Sequence, residues 1–309
     1  MSILDKIKRG NGDLPPRILV SGPEGVGKST LGSNAPSPLF ISAEDGLTGL
    51  DHVQRFSPTD LSDLHAMLDG LSADPSGFKT IVVDTTDWLE RLVCASICKR
   101  DNKSDIEDYG YGKGYVIMEG ELVKLLQKFD ALRHKHRLGI VLLAHVHIRA
   151  FNDPRGEAWD RYEMKGHKKF TGILREWPDA CLFAVFEVFK TKDKAGHEKA
   201  IGGERILHTE WSPAWDAKNR LNLPATLPLD WNELQAAIAA NSPTTLRAAI
   251  RAAHALAALP EADQPRWEAW LTKLDTFTPD KLKAALEKLQ KFPKKNAKET
   301  TTTTTANPQ

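Results

Sequence analysis

Residues 22–29 read Gly-Pro-Glu-Gly-Val-Gly-Lys-Ser and follow directly on the apolar run Arg17–Ser21. That order constrains the chain more than any other feature. A strand must feed a tight glycine-rich turn, and a helix must open at about Lys28. Glycines at 22, 25 and 27 let consecutive backbone N–H groups turn inward as a cradle for phosphate oxygens. In the spacing G-x-x-x-x-G-K-[ST], Lys28 is placed to bridge β- and γ-phosphates, and the Ser29 hydroxyl to complete a Mg²⁺ shell. Gly22, Pro23, Glu24, Gly25, Val26, Gly27, Lys28, Ser29 and Thr30 are therefore the expected nucleotide-binding residues, with ATP and Mg²⁺ as the expected ligands.

A phosphate loop of this kind needs an acidic partner for the metal. Asp84 ends the apolar run Ile81-Val82-Val83. At the carboxyl end of a strand its carboxylate faces the phosphates and holds Mg²⁺ through water; the competing role is a cap on the following helix. Further continuous apolar runs lie at Leu39–Ser42 and Gly139–Ala144. None alternates with polar residues, as expected of strands covered on both faces. Helical stretches at about 60–71, 87–99 and 116–137 separate them. Strand alternating with helix predicts an α/β fold with a mostly parallel central sheet. The run from Ala180, a polar turn at 191–199, and the return from Ala200 to Trp211 read as a hairpin added to the sheet edge.

Composition excludes several classes. The 309 residues carry 42 basic and 41 acidic side chains, so no global polycationic attraction exists and nucleic-acid binding needs a local patch. Three cysteines cannot make a disulfide framework, and they point to a reducing compartment. Cys94 and Cys98 read as small core residues on one helix. No apolar run is long enough to span a membrane, and the first residues lack a signal-peptide stretch, so the expected location is the cytoplasm.

Four segments are expected along the chain: a leader at 1–16, the α/β core at 17–231, a helical appendage at 232–292 and a disordered Thr-rich tail at 293–309. Ser242-Pro243 and Thr278-Pro279 are cap and first-turn pairs for helices in the appendage. The alanine-rich stripe of that region reads as packing.

Glu44 stands just past the second strand and His145 ends the strand after Asp84. With the phosphate loop and Asp84, this order of motifs resembles the RecA-type recombinase core. The resemblance implies that Glu44 activates the attacking water. It also implies that the residue at 145 senses the γ-phosphate and passes that state to DNA-binding loops. The family usually has Gln at that position, and a histidine there makes the coupling sensitive to protonation. Glu44, Lys28 and His145 are thus the expected catalytic residues.

Two loops would face single-stranded DNA. Tyr109-Gly-Tyr111-Gly-Lys113-Gly-Tyr115 offers tyrosine faces and a lysine, with Tyr111 and Lys113 as candidate contacts. Residues 146–170 read as a long irregular segment mixing cations with aromatics. Its candidates are Arg149, Phe151, Arg155, Trp159, Arg161, Lys165, Lys168 and Lys169, diluted by Asp153, Glu157, Asp160 and Glu163. Lys168 and Lys169 also sit where RecA-like filaments reach a neighbouring subunit's nucleotide.

The strings GYGKGY and RAFNDPRGEAWDRYEMKGHKKFTGILREWPDACLFA and the segment Asp216–Arg220 are similar to RecA-like ATPases of bacteriophages, commonly labelled AAA-family ATPases. The likeness covers about residues 15–231. It implies a DNA-stimulated ATPase of the recombination or single-strand annealing type, acting as a ring or filament of identical subunits, with a single-strand-binding protein as a further partner. It also assigns Lys218 and Arg220 to phosphate or a neighbouring subunit. An annealing module using ATP only as a conformational switch is the alternative, as is a helicase-type motor; a small-molecule kinase fits the order of elements poorly.

Overall fold

The structure is a computed structural model and describes residues 14–42, 49–152, 156–192 and 198–294. The leader before Leu14, Glu44, Arg155 and the tail beyond Lys294 therefore lie outside the described residues.

The core is an open mixed sheet with helices packed on it. Its strands are β1 (Arg17–Gly22), β2 (Pro38–Ile41), β3 (Gln54–Phe56), β4 (Thr80–Asp84), β5 (Gly139–Phe151), β6 (Trp159–Met164), β7 (Ala180–Lys192), β8 (Glu198–His208), β9 (Lys218–Asn219) and β10 (Thr226–Pro228). Its helices are α1 (Lys28–Ser33), α2 (Leu61–Ala73), α3 (Thr86–Arg100), α4 (Lys113–His136), α5 (Lys168–Glu176) and α6 (Trp231–Ala240). Along the sheet the order is β10-β8-β7-β1-β5-β4-β2-β3. β7, β1, β5, β4, β2 and β3 run parallel; at the edge β8 runs antiparallel to β7, and β10 antiparallel to β8. The expected α/β fold with a mostly parallel central sheet is what forms, with the hairpin from Ala180 on its edge.

Burial explains why these runs are strands. Leu19, Ile41, Ile81, Val83, Ile140 and Leu142 join one large core together with α2, α3 and α4. Phe129 and Leu122 of α4 and Leu64 and Leu68 of α2 are almost fully removed from water within that core. Each such side chain contributes about 1.5–3 kcal/mol relative to exposure. Cys94 and Cys98 pack in this core from α3, where burial pushes the Cys94 thiol up to about 12. Among the described residues no group of three or more His, Cys, Asp or Glu could hold a metal ion. Nor is any helix of the described residues long and apolar enough to cross a membrane.

Opposite the phosphate loop, β1 is anchored where it enters the sheet. Arg17 pairs with Asp179 at 2.8 Å and Asp130 at 3.1 Å, and Arg133 of α4 reaches the same Asp179. The guanidinium of Arg17 also lies 4.9 Å from the ring centre of Trp177. This network fixes the β1–β7–α4 junction at the far end from the chemistry.

The described residues divide into two compact units after Ala236, inside α6. The second unit contains α7 (Pro243–Leu256), α8 (Gln264–Leu271) and α9 (Pro279–Gln290) around Leu246, Ile250, Leu274, Leu282 and Leu289. Its caps are the expected ones: Ser242 accepts from Thr245 N–H at 3.1 Å, and Thr278 from Lys281 N–H at 3.4 Å, each followed by proline in the first turn. Pro293 and Lys294 pair back onto Ala257 and Ala258.

Candidate nucleotide site and the ribbon beside it

Strand register assembles the site. β5 lies between β1 and β4, pairing Gly22 with His145 and Asp84 with Leu143. The end of the phosphate-loop strand, His145 and Asp84 are thereby set side by side at the carboxyl edge of the sheet, where open α/β sheets bind ligands. The loop itself has the geometry its glycines permit. Gly25 has φ +74° and Gly27 φ +109°, conformations that L side chains rarely adopt. At Gly22 the requirement is different: a Cβ there would stand 2.4 Å from the Ala184 carbonyl oxygen of β7, so glycine lets those strands close up.

Lys28 is buried and its Nζ donates to the carbonyls of Gly22 at 2.9 Å and Pro23 at 2.8 Å. The ammonium is held inside its own loop, ready to exchange those acceptors for phosphate oxygens. Burial pushes it down to about 8, against the pull of Asp84, Glu24 and Asp87. Val26 is buried beneath the loop, whereas Pro23, Glu24, Gly25 and Thr30 are at least partly accessible. Ser29 is in the first turn of α1, and Asp84, nearly buried, ends β4. An open glycine cradle, an internal cation and a hydroxyl with a carboxylate nearby fit a nucleotide triphosphate with its divalent ion.

Two residues that sequence reasoning did not single out join this site, and a third braces the turn into α5. Asp87, in the first turn of α3, places Oδ1 3.2 Å from Nδ1 of His145. Burial would raise its carboxyl, but hydrogen bonding, that of His145 foremost, outweighs burial and holds Asp87 well below the usual carboxylate range. It orients the imidazole at the end of β5. Arg205 of β8 comes next to the loop: a Cβ on Gly27 would lie 3.1 Å from its Nη1. Glu90, one turn beyond Asp87, accepts the His167 N–H at 2.9 Å and so fixes the turn into α5. Asp87 and Glu90 carried a faint signal, acids at helical spacing after Asp84. Arg205 carried none, because only the edge hairpin brings it to the loop.

The expected loop at 146–170 is corrected by the structure. β5 continues past His145 to Phe151, leaves the parallel sheet, and pairs antiparallel with β6 from Val146↔Met164 to Phe151↔Trp159. The segment is a two-stranded ribbon followed by a turn and the start of α5. Arg149 is exposed near its tip, with Ile148 exposed on the other face. Phe151 and Trp159 pack on each other at 5.2 Å between ring centres. Lys168 is exposed at the start of α5, and Lys169 lies 3.6 Å from Glu119.

Arg161 is a second correction. It is buried, its Nη2 donates to Asp216 at 2.5 Å, and its guanidinium lies against Phe151, so it is a pillar of the ribbon and not a surface for phosphate. Asp216 also accepts from Arg175 at 2.7 Å. Lys218 likewise turns inward, donating to the carbonyls of Arg175 and Glu176 at the end of α5. Lys165 does not point away from the nucleotide loop either. Its Nζ pairs with the Glu24 carboxylate in that loop, while its N–H donates to the His145 carbonyl at 2.9 Å. The hydrogen bond and charge of Lys165 hold Glu24 below the usual carboxylate range.

The tyrosines at 109, 111 and 115 divide in the same way. Tyr109 donates to Asp101 and Tyr115 to Glu107, each at 2.6 Å, and Tyr115 stacks on His167 at 3.7 Å. Tyr111 alone of these is fully exposed, and Lys113 opens α4 beside it. Gly114 lets α4 start there, since a Cβ would fall 2.1 Å from the Ile106 carbonyl oxygen.

No curated protein matches the chain. The family model described as AAA domain matches residues 14–221 of the 309, a stretch that holds the phosphate loop, Asp84, His145 and the ribbon. The chain thus belongs to the AAA domain family, and its core is a P-loop ATPase-type, nucleotide-binding domain.

Proposed function

We propose that this protein hydrolyses ATP with Mg²⁺ and uses the nucleotide state to control a single-stranded-DNA-binding surface, in recombination or strand annealing of the kind served by RecA-like phage ATPases. One observation carries this reading: the strand that bears His145 between Gly22 and Asp84 runs on without a break into the ribbon, and Lys165 of the following turn is tied back to Glu24. A change at the phosphates therefore reaches the ribbon by two routes, through His145 and through the Glu24–Lys165 pair.

Backbone N–H groups of the Gly25–Gly27 turn and the Lys28 ammonium bind the phosphates, as the loop geometry allows. Ser29 and Asp84 would hold Mg²⁺, which neutralises charge on the phosphates when bound. Glu44 is the residue we assign to orienting the attacking water. Asp87 holds the His145 ring toward the phosphate side. Arg149, Trp159 and Phe151 on the ribbon, with Tyr111, Lys113, Lys168 and Lys169, supply cations and stacking faces for a single strand. A ring or filament of identical subunits in the cytoplasm of a host cell, working with a single-strand-binding protein, completes the reading.

The test is affinity for an oligothymidylate, measured by anisotropy at fixed salt with ATP, with a non-hydrolysable analogue and with no nucleotide. Wild-type affinity should change by roughly fivefold or more with nucleotide, and Lys28→Ala should abolish that dependence. Equal affinity in all three states would remove nucleotide control of the surface, and no binding in any state would remove the DNA function and leave a nucleotide site alone. Full activity with the analogue would identify ATP as a conformational switch.

A further inference from the structure

The helical unit beyond Ala236 contains a cleft of about 450 Å³ that belongs to no part of the nucleotide site. Its walls come from α8 and α9. Arg266, Trp267 and Trp270 of α8 face Lys281 and Lys288 of α9, and Lys291 follows just beyond that helix. On α9 the spacing is i, i+3, i+4, i+7: Lys281 and Lys288 stand on either side of Ala284 and Ala285, whose small side chains make a floor. Four cations line the cleft against one carboxylate, Asp263. Among the described residues Arg266, Lys281, Lys288 and Lys291 make no ion pair.

The aromatic side of the cleft is equally specific. Trp267 and Trp270 are set edge to face at 5.6 Å, both only half-buried, and Trp270 packs on Phe277 at 4.2 Å. A helical unit this small has reason to bury indoles completely. Lys281 lies over the Phe277 ring at 3.9 Å, while Arg266, Lys288 and Lys291 carry no ion pair among the described residues. Two half-exposed indoles beside such cations are the combination that single-stranded nucleic acid rewards, with bases on the aromatic faces and phosphates on the lysines. An alanine floor leaves room for a flat base where a larger side chain would fill the cleft.

We propose that this cleft is a binding site for a segment of single-stranded nucleic acid, carried by the appendage independently of the ATPase core. The charge complementarity favours a polyanion, and the paired indoles favour one that presents flat rings, over an acidic peptide.

The experiment uses the full-length protein without nucleotide and oligothymidylate or oligouridylate probes containing 5-iodouracil, which crosslink to aromatic residues on irradiation. Trypsin releases residues 267–273, holding both Trp267 and Trp270, as one peptide. That peptide should carry the crosslink, and unlabelled oligonucleotide should compete it away. The double substitution Lys288→Glu and Lys291→Glu, at exposed positions outside the small core, should weaken probe binding about tenfold and remove the crosslink. Arg149→Glu on the ribbon should leave the 267–273 crosslink intact, so failure of the ribbon as a DNA surface is told apart from failure of the cleft. The DNA and RNA probes tell which nucleic acid is preferred. Crosslinks absent from 267–273 with both probes, or unaffected by the double charge reversal, would overturn the proposal. So would capture of an acidic peptide in the cleft that neither oligonucleotide displaces.

Discussion

Lys28 shows how much one buried side chain can decide. Its folded value near 8 lies below the ordinary 10.5. Below pH 8 the protein therefore holds a buried charge at a cost to stability, and that cost fades as the pH rises from 8 toward 10.5. In the proposed binding mode, nucleotide requires the charged form. Binding must consequently take up a proton above pH 8, and affinity for ATP should fall there by up to about tenfold per pH unit. Calorimetric titration in buffers of different protonation heat measures both effects, and Lys28→Arg, which stays charged, should flatten the profile. A wild-type affinity that stays level between about pH 7 and 9.5 would show that the ammonium is not the phosphate ligand. Lys28, Ser29, Asp84 and His145 were legible from sequence because each is fixed by a local motif at the end of an apolar run. Asp87 and Arg205 were not, because their roles depend on which strands and helices end beside one another.

At the scale of elements, the ribbon is where the sequence reading and the fold part company. The apolar run of β5 ends at Ala144, and beyond it cations, aromatics and acids alternate in a pattern that hides a strand. Yet Val146, Ile148 and Ala150 fall on one face and His147, Arg149 and Phe151 on the other, with β6 completing the pairing. Arg161 was misread for the same reason: a buried, paired arginine has the same letter as an exposed one, and only Asp216, far along the chain, reveals it. The helices were easier, because their apolar faces repeat and their caps are local. If the ribbon is coupled to the phosphate loop through Glu24 and Lys165, those residues act as a unit. Glu24→Gln and Lys165→Gln should each cut DNA stimulation of ATP turnover roughly fivefold, and the double variant should be no worse than either single one. Steady-state turnover with and without oligonucleotide measures this; losses that multiply in the double variant would show that the pair carries no coupling.

For the whole molecule, the α/β core and its nucleotide site were readable from the alternation of elements and one loop, and the family match covers the same stretch. The helical unit gave only its caps and its alanine content to the sequence reading, because a cleft is a property of how α8 and α9 face each other. One unit carries the ribbon and the other a cationic, indole-lined cleft. The most direct measurement is ATP hydrolysis by the full-length protein at fixed salt and Mg²⁺, with and without single-stranded DNA. Stimulation of roughly fivefold or more, lost in Lys28→Ala, is the predicted result. Turnover that ignores DNA at low salt, with no DNA bound, would contradict coupling between the phosphate loop and the ribbon.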